Sequence, residues 1–125
     1  MKPVHYQPDA SLYAIKGVLT DQQNLTIGKL GSFRFPPGLY VYVGSAKRNI
    51  RSRIERHLKV DKKCHWHFDY LRPYLEITEV HTFPGQEGEC GLFQRLLGEQ
   101  QGKIVIPGFG SSDCTCKAHL FFVPL

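Results

Sequence analysis

The chain has 125 residues, of which 42% are hydrophobic and 22% charged, a composition typical of one globular domain and not of a disordered chain, a collagen-like fibre or a coiled coil. The 16 Lys and Arg residues against 11 Asp and Glu give a formal net charge of +5. That charge suits a nucleic-acid partner and equally a surface of solvated lysines. No apolar run approaches the roughly 20 residues that span a bilayer, and residues 1–11 hold no apolar signal core. We therefore expect a cytoplasmic protein with no membrane partner.

The first third of the chain is predicted to consist mainly of strands. Residues 1–10 contain two prolines and little periodicity, so we predict a loose arm at the start of a single domain over 1–125. Turn-rich stretches then separate four predicted strands, at 11–19, 25–30, 33–35 and 39–43. In the last of these, LYVYV, alternation places Tyr40 and Tyr42 on one face and the aliphatic residues Leu39, Val41 and Val43 on the other.

Helices are predicted to enter the second part of the chain. A stripe of Ala46, Ile50, Ile54 and Leu58 indicates a helix over 46–59. A short helix at 66–71, ended by Pro73, is followed by a strand at 75–83 and a helix at 88–101 with Leu92, Phe93, Leu96 and Leu97 as its core face. The secondary structure of 104–106 is ambiguous from the sequence. We predict a loop at 107–116 and a strand at 118–123. These elements predict an α+β domain with a small, mostly antiparallel sheet flanked by helices.

The segment 40–58, YVYVGSAKRNIRSRIERHL, carries the strongest chemical signal. A strand that passes through Gly44 into a basic helix leaves backbone amides free to meet a phosphate. Arg53 and His57 are four residues apart, so they lie one helical turn from each other. Candidate nucleic-acid contacts in and beside this helix are Ser45, Lys47, Arg48, Arg51 and Arg56. The alternative is a structural strand-to-helix turn with a solvated arginine face.

Together with two later blocks, this segment resembles the GIY-YIG nuclease superfamily and, within it, the Uri-type branch of small stand-alone endonuclease domains. The three blocks occur in the expected order and extend over nearly the whole chain: FPPGLYVYVGSA before the helix, CHWHFDYL at 64–71 and GFGSSDCTCKAHLF at 108–121. The resemblance implies a GIY-YIG-like fold and metal-dependent hydrolysis of DNA phosphodiester bonds, with 5′-phosphate and 3′-hydroxyl products.

The same resemblance implies a set of catalytic residues. Tyr42-Val43-Gly44 corresponds to the YIG element, and Arg53 and His57 to the helix arginine and the residue one turn later. The superfamily's two tyrosines lie on neighbouring strands, so the first is assigned to Tyr13, where Ser-Leu replaces Gly-Ile. The longer gap to Tyr42 resembles an inserted hairpin. Tyr40 is the alternative first tyrosine.

A glutamate at a helix start is the metal ligand that the resemblance implies. Glu89-Cys90-Gly91-Leu92-Phe93 fits the Glu-x-x-Leu pattern, and Glu89 extends the buried stripe of its helix. Glu87 is the competing ligand, and an acid that complements the helix dipole is the structural alternative.

The implied mechanism uses one Mg²⁺ or Mn²⁺ on Glu89, with Arg53 stabilising the charge on the phosphate. Tyr42 takes a proton from water, its phenolate favoured by nearby cations. His57 relays the proton and Tyr13 orients the water. Ser45 stands where many members have a lysine, and Lys47 follows two residues later.

Two clusters of His, Cys and Asp remain. His65, His67 and Asp69 are candidates for the rim of the active site. Cys114, Cys116 and His119 have the close spacing of Zn²⁺ ligands, with Cys64 or Cys90 to complete a site. Because Cys-x-Cys is tighter than the common Cys-x-x-Cys, we favour buried thiols and hydrogen-bonded histidines. With four cysteines and no secretion signal we expect reduced thiols or a metal site.

The expected function is therefore a metal-dependent endonuclease that acts on DNA, with RNA as the alternative substrate. A second hypothesis is a non-catalytic nucleic-acid-binding module that uses the basic helix. A third is a protein-interaction or zinc-stabilised domain, which would show no salt-sensitive affinity for DNA.

Overall fold

A computed structural model describes residues 4–5, 10–46, 48–64, 66–109 and 118–124. Its seven strands are β1 (Val4–His5), β2 (Ala10–Leu19), β3 (Gln23–Ile27), β4 (Gly31–Phe35), β5 (Gly38–Ser45), β6 (Glu76–Pro84) and β7 (Leu120–Val123). Its helices are α1 (Ile50–Leu58), α2 (His67–Leu71) and α3 (Gly88–Gln100), with short 3-10 turns at Arg72–Tyr74 and Gly85–Glu87. Every described helix is too short or too polar to cross a membrane.

The main sheet has the order β1-β6-β2-β5-β7. All its neighbouring strands are antiparallel except β1, which pairs in parallel with β6. The strands β3 and β4 form a separate hairpin between β2 and β5, where the longer gap before Tyr42 predicts one. The predicted α+β class with a mostly antiparallel sheet is confirmed, and part of the predicted loose arm, Val4–His5, belongs to the sheet.

The two faces of β5 bury different cores, as the alternation of LYVYV predicts. Tyr40 and Tyr42 pack with α1, α2 and the hairpin, in a core that also contains Ile54 and Phe68. The aliphatic face of the strand packs on α3, in a second core built from Val41, Val43, Leu92, Phe93 and Leu96. The sheet is therefore enclosed on both faces, and the tyrosine face looks toward the basic helix.

Helix α1 begins at Ile50 and not at Ala46, which corrects the predicted start. Asn49, the residue before the helix, has a left-handed backbone with φ of 53°, a conformation that asparagine tolerates better than most residues. The amide of Ala46 donates to the carbonyl of Ser11 at 2.8 Å. The sequence suggested that backbone amides of this strand-to-helix turn are free to meet a phosphate. The Ala46 amide is not free, because it is already hydrogen-bonded to Ser11.

Two further differences have local causes. The predicted strand at 25–30 ends at Ile27 because Gly28 adopts a positive φ of 48° and the amide of Leu30 donates back to Ile27 at 2.9 Å. The predicted turn at 31–32 consequently lies in β4. Residues 104–106 form no strand, although the adjacent Lys103 pairs with Phe122.

Candidate active site

A cavity of about 610 Å³ opens where β2 and β5 meet the beginning of α3. It combines residues from the sheet, from α1, from the segment before α2 and from the segment before β7. The side chains with polar or aromatic chemistry that line it include Tyr13, Tyr42, Arg53, Trp66, Glu89 and His119. The cavity is therefore lined by three of the four residues that the resemblance implies are catalytic, namely Tyr13, Tyr42 and Arg53. The implied metal ligand, Glu89, lines it too.

The fourth, His57, lies directly behind Tyr13. The Tyr13 hydroxyl is 2.9 Å from His57 Nε2, and the imidazole is fully buried among aromatic rings. Burial lowers the pKa of His57 to about 3, so the ring is neutral at physiological pH. A neutral imidazole has one nitrogen that donates and one that accepts, and it can therefore receive a proton from the phenol.

Tyr42 has a different environment. Its ring stacks on Phe68 with centroids 4.6 Å apart and an interplanar angle of 12°, and its centroid lies 6.5 Å from that of Tyr13. Burial raises the pKa of both phenols, and the positive charge of Arg53 opposes that rise only in part. Arg53 thus favours the Tyr42 phenolate, as expected, but burial outweighs its effect on the pKa.

Tyr13 and Tyr40, the two candidates for the first tyrosine of the nuclease motif, lie in different parts of the structure. Tyr40 is buried, its hydroxyl donates to the carbonyl of Pro36, and its ring packs against Phe122 at 5.1 Å. Tyr13 lies on the strand next to Tyr42, with Ile15 opposite Tyr42 in the register, and it lines the cavity. The geometry brings Tyr13 to the candidate site and directs Tyr40 into the core.

The Glu89 carboxylate is held between two side chains. The Ser45 hydroxyl donates to its Oε1, and His119 Nδ1 lies 3.1 Å from its Oε2. The Glu89 side chain is 30% exposed, whereas that of His119 is 3% exposed. The competing Glu87 forms a two-point ion pair with Arg95 at 3.1 and 2.8 Å. Of the two acids, Glu89 is the one held against the sheet.

Arg53 connects the aromatic and acidic parts of the cavity. Its Nη1 donates to the carbonyl of Ser45 at 3.2 Å, and its guanidinium carbon lies 5.2 Å from the centroid of the Trp66 ring. These contacts hold a positive charge next to the serine that binds Glu89. Trp66 thus forms part of the cavity wall.

The candidate nucleic-acid contacts separate into two groups. Arg48 and Arg51 are exposed, whereas Arg56 forms a two-point ion pair with Asp69 at 3.3 and 3.1 Å. Ser45 is hydrogen-bonded to Glu89. Lys47 lies outside the described residues. Arg56 is thus paired with a buried carboxylate, which it shares with Lys62.

The predicted rim is wrong for Asp69, which is fully buried and accepts hydrogen bonds from the Trp66 amide and from Arg56. It is the third residue of α2, and its carboxylate accepts from the amide of Trp66, the residue before that helix. His67 packs against Phe109 with centroids 5.6 Å apart, and burial lowers its pKa. His65 lies outside the described residues.

The cysteines give a mixed result. Cys90 is disulfide-bonded, so the expectation of a reduced thiol or a zinc ligand is wrong at this position, while Cys64 is free and exposed. Cys114 and Cys116, the other proposed zinc ligands, lie outside the described residues. His119, the third, contacts Glu89 and lies 3.8 Å from the Cys90 sulfur. Within the described part of the chain no three His, Cys, Asp or Glu side chains converge on a common point.

Comparison with known proteins gives one match. A family model described as "Domain of unknown function DUF123" matches residues 12–124. No curated protein and no solved structure matches the chain. The matched range contains every described residue that lines the cavity except Ser11.

Proposed function

The chain belongs to the DUF123 family, and we propose that it is a metal-dependent endonuclease of the GIY-YIG kind that hydrolyses phosphodiester bonds in DNA. The observation that carries the proposal is the convergence of Tyr13, Tyr42, Arg53 and Glu89 on one cavity, with His57 hydrogen-bonded to the first of them. These residues come from β2, β5, α1 and α3. A purely structural core does not require this combination of a basic, an acidic and two phenolic groups at one opening.

The contact between Tyr13 and His57 supports a proton relay. As water attacks the phosphorus, its proton passes to the Tyr13 oxygen while the Tyr13 proton passes to His57 Nε2. Because the two transfers are coupled, no free phenolate accumulates. The relay therefore depends on the basicity of the His57 imidazole, which burial weakens, and not on that of the Tyr13 phenolate. This geometry favours Tyr13 over Tyr42 as the tyrosine that transfers the proton. If Tyr42→Phe cuts at the wild-type rate, Tyr42 takes no part in proton transfer.

Arg53 is the group that would stabilise the developing negative charge. Its guanidinium is permanently charged and can form two hydrogen bonds to phosphate oxygens. The contacts to Ser45 and Trp66 limit its freedom before substrate binds, which reduces the entropy lost on binding. A positively charged group held in this way stabilises charge in the transition state more than in the ground state.

Glu89 fits the role of metal ligand. Its carboxylate is partly exposed and lines the cavity, and Mg²⁺ is commonly bound through one or two carboxylates together with waters and phosphate oxygens. The bound metal would act as a Lewis acid on a phosphate oxygen. The contacts of Glu89 with Ser45 and His119 orient the carboxylate, as second-sphere partners of metal ligands commonly do.

The test is cleavage of labelled DNA in duplex, single-stranded and branched forms, with Mg²⁺ and with Mn²⁺. Wild type is compared with Glu89→Gln and with the matched control Glu87→Gln, which removes the same charge two residues away. We expect metal-dependent cutting by wild type and Glu87→Gln, and its loss in Glu89→Gln. Equal cutting by all three proteins would remove Glu89 as the metal ligand.

A non-catalytic nucleic-acid-binding module is the second candidate. It is favoured by the exposure of Arg51 on the basic helix and of Arg48 just before that helix. It predicts no cutting of any substrate by any variant, together with DNA binding that weakens steeply as salt is raised. RNA of the same forms is included in the panel, because phosphate contacts alone do not distinguish the two polymers.

A further inference from the structure

Asp69 is the centre of a buried ionic cluster behind the cavity. Its side chain is fully buried, and it lies 3.1 Å from both Arg56 Nη2 and Lys62 Nζ. The Trp66 amide donates to it at 2.8 Å. Two cations and a backbone amide compensate the cost of burying this carboxylate and keep it ionised.

The same carboxylate faces the imidazole that is hydrogen-bonded to the Tyr13 hydroxyl. Asp69 Oδ1 lies 4.0 Å from His57 Nδ1, while the other ring nitrogen, Nε2, is 2.9 Å from the Tyr13 oxygen. The buried Nδ1 has no hydrogen-bond partner among the described residues. The phenol, the imidazole and the carboxylate thus follow one another in a line leading from the cavity into the protein.

We propose that Asp69 is a positioning residue that holds His57 in the tautomer with the proton on Nδ1, leaving Nε2 as the acceptor for the Tyr13 hydroxyl. An ionised carboxylate offers only acceptors, so it attracts an N–H group at Nδ1 and repels a lone pair there. A phenol can donate or accept, and therefore does not by itself select either tautomer. The choice consequently falls to Asp69.

The remaining charged groups around His57 do not reverse this choice. Lys62, Arg56 and Arg53 are the cations that act on the imidazole, and the first two lie against Asp69. Lys62 also donates to the carbonyls of Arg56 and His57 at 2.8 Å, which fixes it at the end of α1. They screen the carboxylate, but its Oδ1 still lies 4.0 Å from Nδ1.

The consequence for the reaction rests on the function proposed above. When the Tyr13 O–H bond breaks and its proton joins Nε2, His57 becomes an imidazolium with protons on both nitrogens. Asp69 then stabilises that cation electrostatically across the 4.0 Å between Oδ1 and Nδ1. Aspartate has the same role of fixing a tautomer and stabilising the imidazolium in serine proteases, where replacing it with asparagine reduces kcat by about 10⁴-fold.

The test is the nitrogen chemical shifts of His57, measured in long-range ¹H–¹⁵N spectra of the full chain near neutral pH. The signal is assigned as the one that disappears in His57→Gln. We expect wild type to carry the proton on Nδ1, and Asp69→Asn, whose amide can donate to Nδ1, to move it to Nε2. The matched control Lys62→Gln removes a cation from the cluster and leaves the carboxylate, so it should keep the wild-type tautomer.

The outcomes separate this inference from the proposed function. A wild-type His57 with its proton on Nε2 would overturn the inference, and this result does not depend on the Asp69 variant being able to fold. An unchanged tautomer in Asp69→Asn would overturn it as well. If the tautomer moves and DNA cutting falls by about 10²–10⁴-fold in that variant, both the inference and the function are supported. If the tautomer moves but wild type cuts nothing, Asp69 positions His57 and the endonuclease proposal fails.

Discussion

The hydroxyl of Tyr13 lies 2.9 Å from Nε2 of His57, although the two residues are 44 positions apart in the chain. One residue comes from the central strand β2 and the other from the last turn of α1. Their contact gives a buried, neutral imidazole a phenolic partner that also lines the cavity. The proposed proton relay depends on this pair more than on any other contact in the molecule.

Tyr13→Phe should reduce DNA cutting by about 10²–10⁴-fold, because it removes the hydroxyl that passes the proton to His57. Tyr40→Phe is a closely matched control, since Tyr40 is equally buried and its hydroxyl also makes a hydrogen bond, to Pro36. We expect that variant to lose about 1 kcal/mol of unfolding free energy and to keep its activity. Single-turnover cleavage rates and urea unfolding measure both effects. Similar rates for the two variants would contradict the assignment of Tyr13.

Gly44→Ala should reduce the rate of DNA cutting, because the substitution displaces a residue of the candidate site. A Cβ at position 44 would overlap the hydroxyl and ring of Tyr13, so the phenol must shift and its contact with His57 is disturbed. The control is Gly98→Ala, since a Cβ there meets nothing within 4 Å and should stabilise α3 by about 0.5–1 kcal/mol. Cutting rates and thermal unfolding of the two variants provide the comparison. Wild-type cutting by Gly44→Ala would show that close packing of Tyr13 on this glycine is not required.

Ser45→Ala should weaken the response to metal. The variant removes the hydroxyl that donates to Glu89, and loss of such a partner commonly lowers metal affinity by about 10–100-fold. Ser52→Ala, on the exposed side of α1, changes the same group away from the cavity and should behave as wild type. The measurement is the Mn²⁺ concentration that gives half-maximal cutting, supported by Mn²⁺ binding calorimetry without DNA. Identical Mn²⁺ dependence of Ser45→Ala and wild type would argue against a metal on Glu89.

The buried His57 should make folding stability dependent on pH. Its pKa is lowered by burial to about 3 from 6.5, so between these values the unfolded chain binds a proton that the folded protein does not. The neutral His57 therefore costs no unfolding free energy above about pH 6.5. Below that pH, the free energy of unfolding falls by about 1.4 kcal/mol per pH unit until the pH reaches the folded pKa. His57→Gln should therefore lose stability less steeply than wild type in urea unfolding between about pH 6 and pH 4.5. Parallel curves would mean that His57 is protonated in the folded state.

Much of the fold could be predicted because local patterns report local structure. The alternation of LYVYV separates the two faces of β5, and the helix predicted at 88–101 is observed as Gly88–Gln100. The start of α1 could not be predicted in this way, because the apolar stripe continues back through Ala46 while the left-handed backbone of Asn49 delays the helix. A periodic pattern shows which residues face the core but not where hydrogen bonding of the helix begins.

The sequence by itself determined the α+β class, the orientation of the strand tyrosines and, through its resemblance to a nuclease superfamily, a set of residues to look for. Only the tertiary structure decided which of those residues meet. It brought Tyr13 to His57, directed Tyr40 into the core and paired Arg56 with a buried Asp69. The physical reason is that strand register and packing of helices on the sheet bring together residues that are far apart in the chain. No local period in the sequence encodes the distance between them.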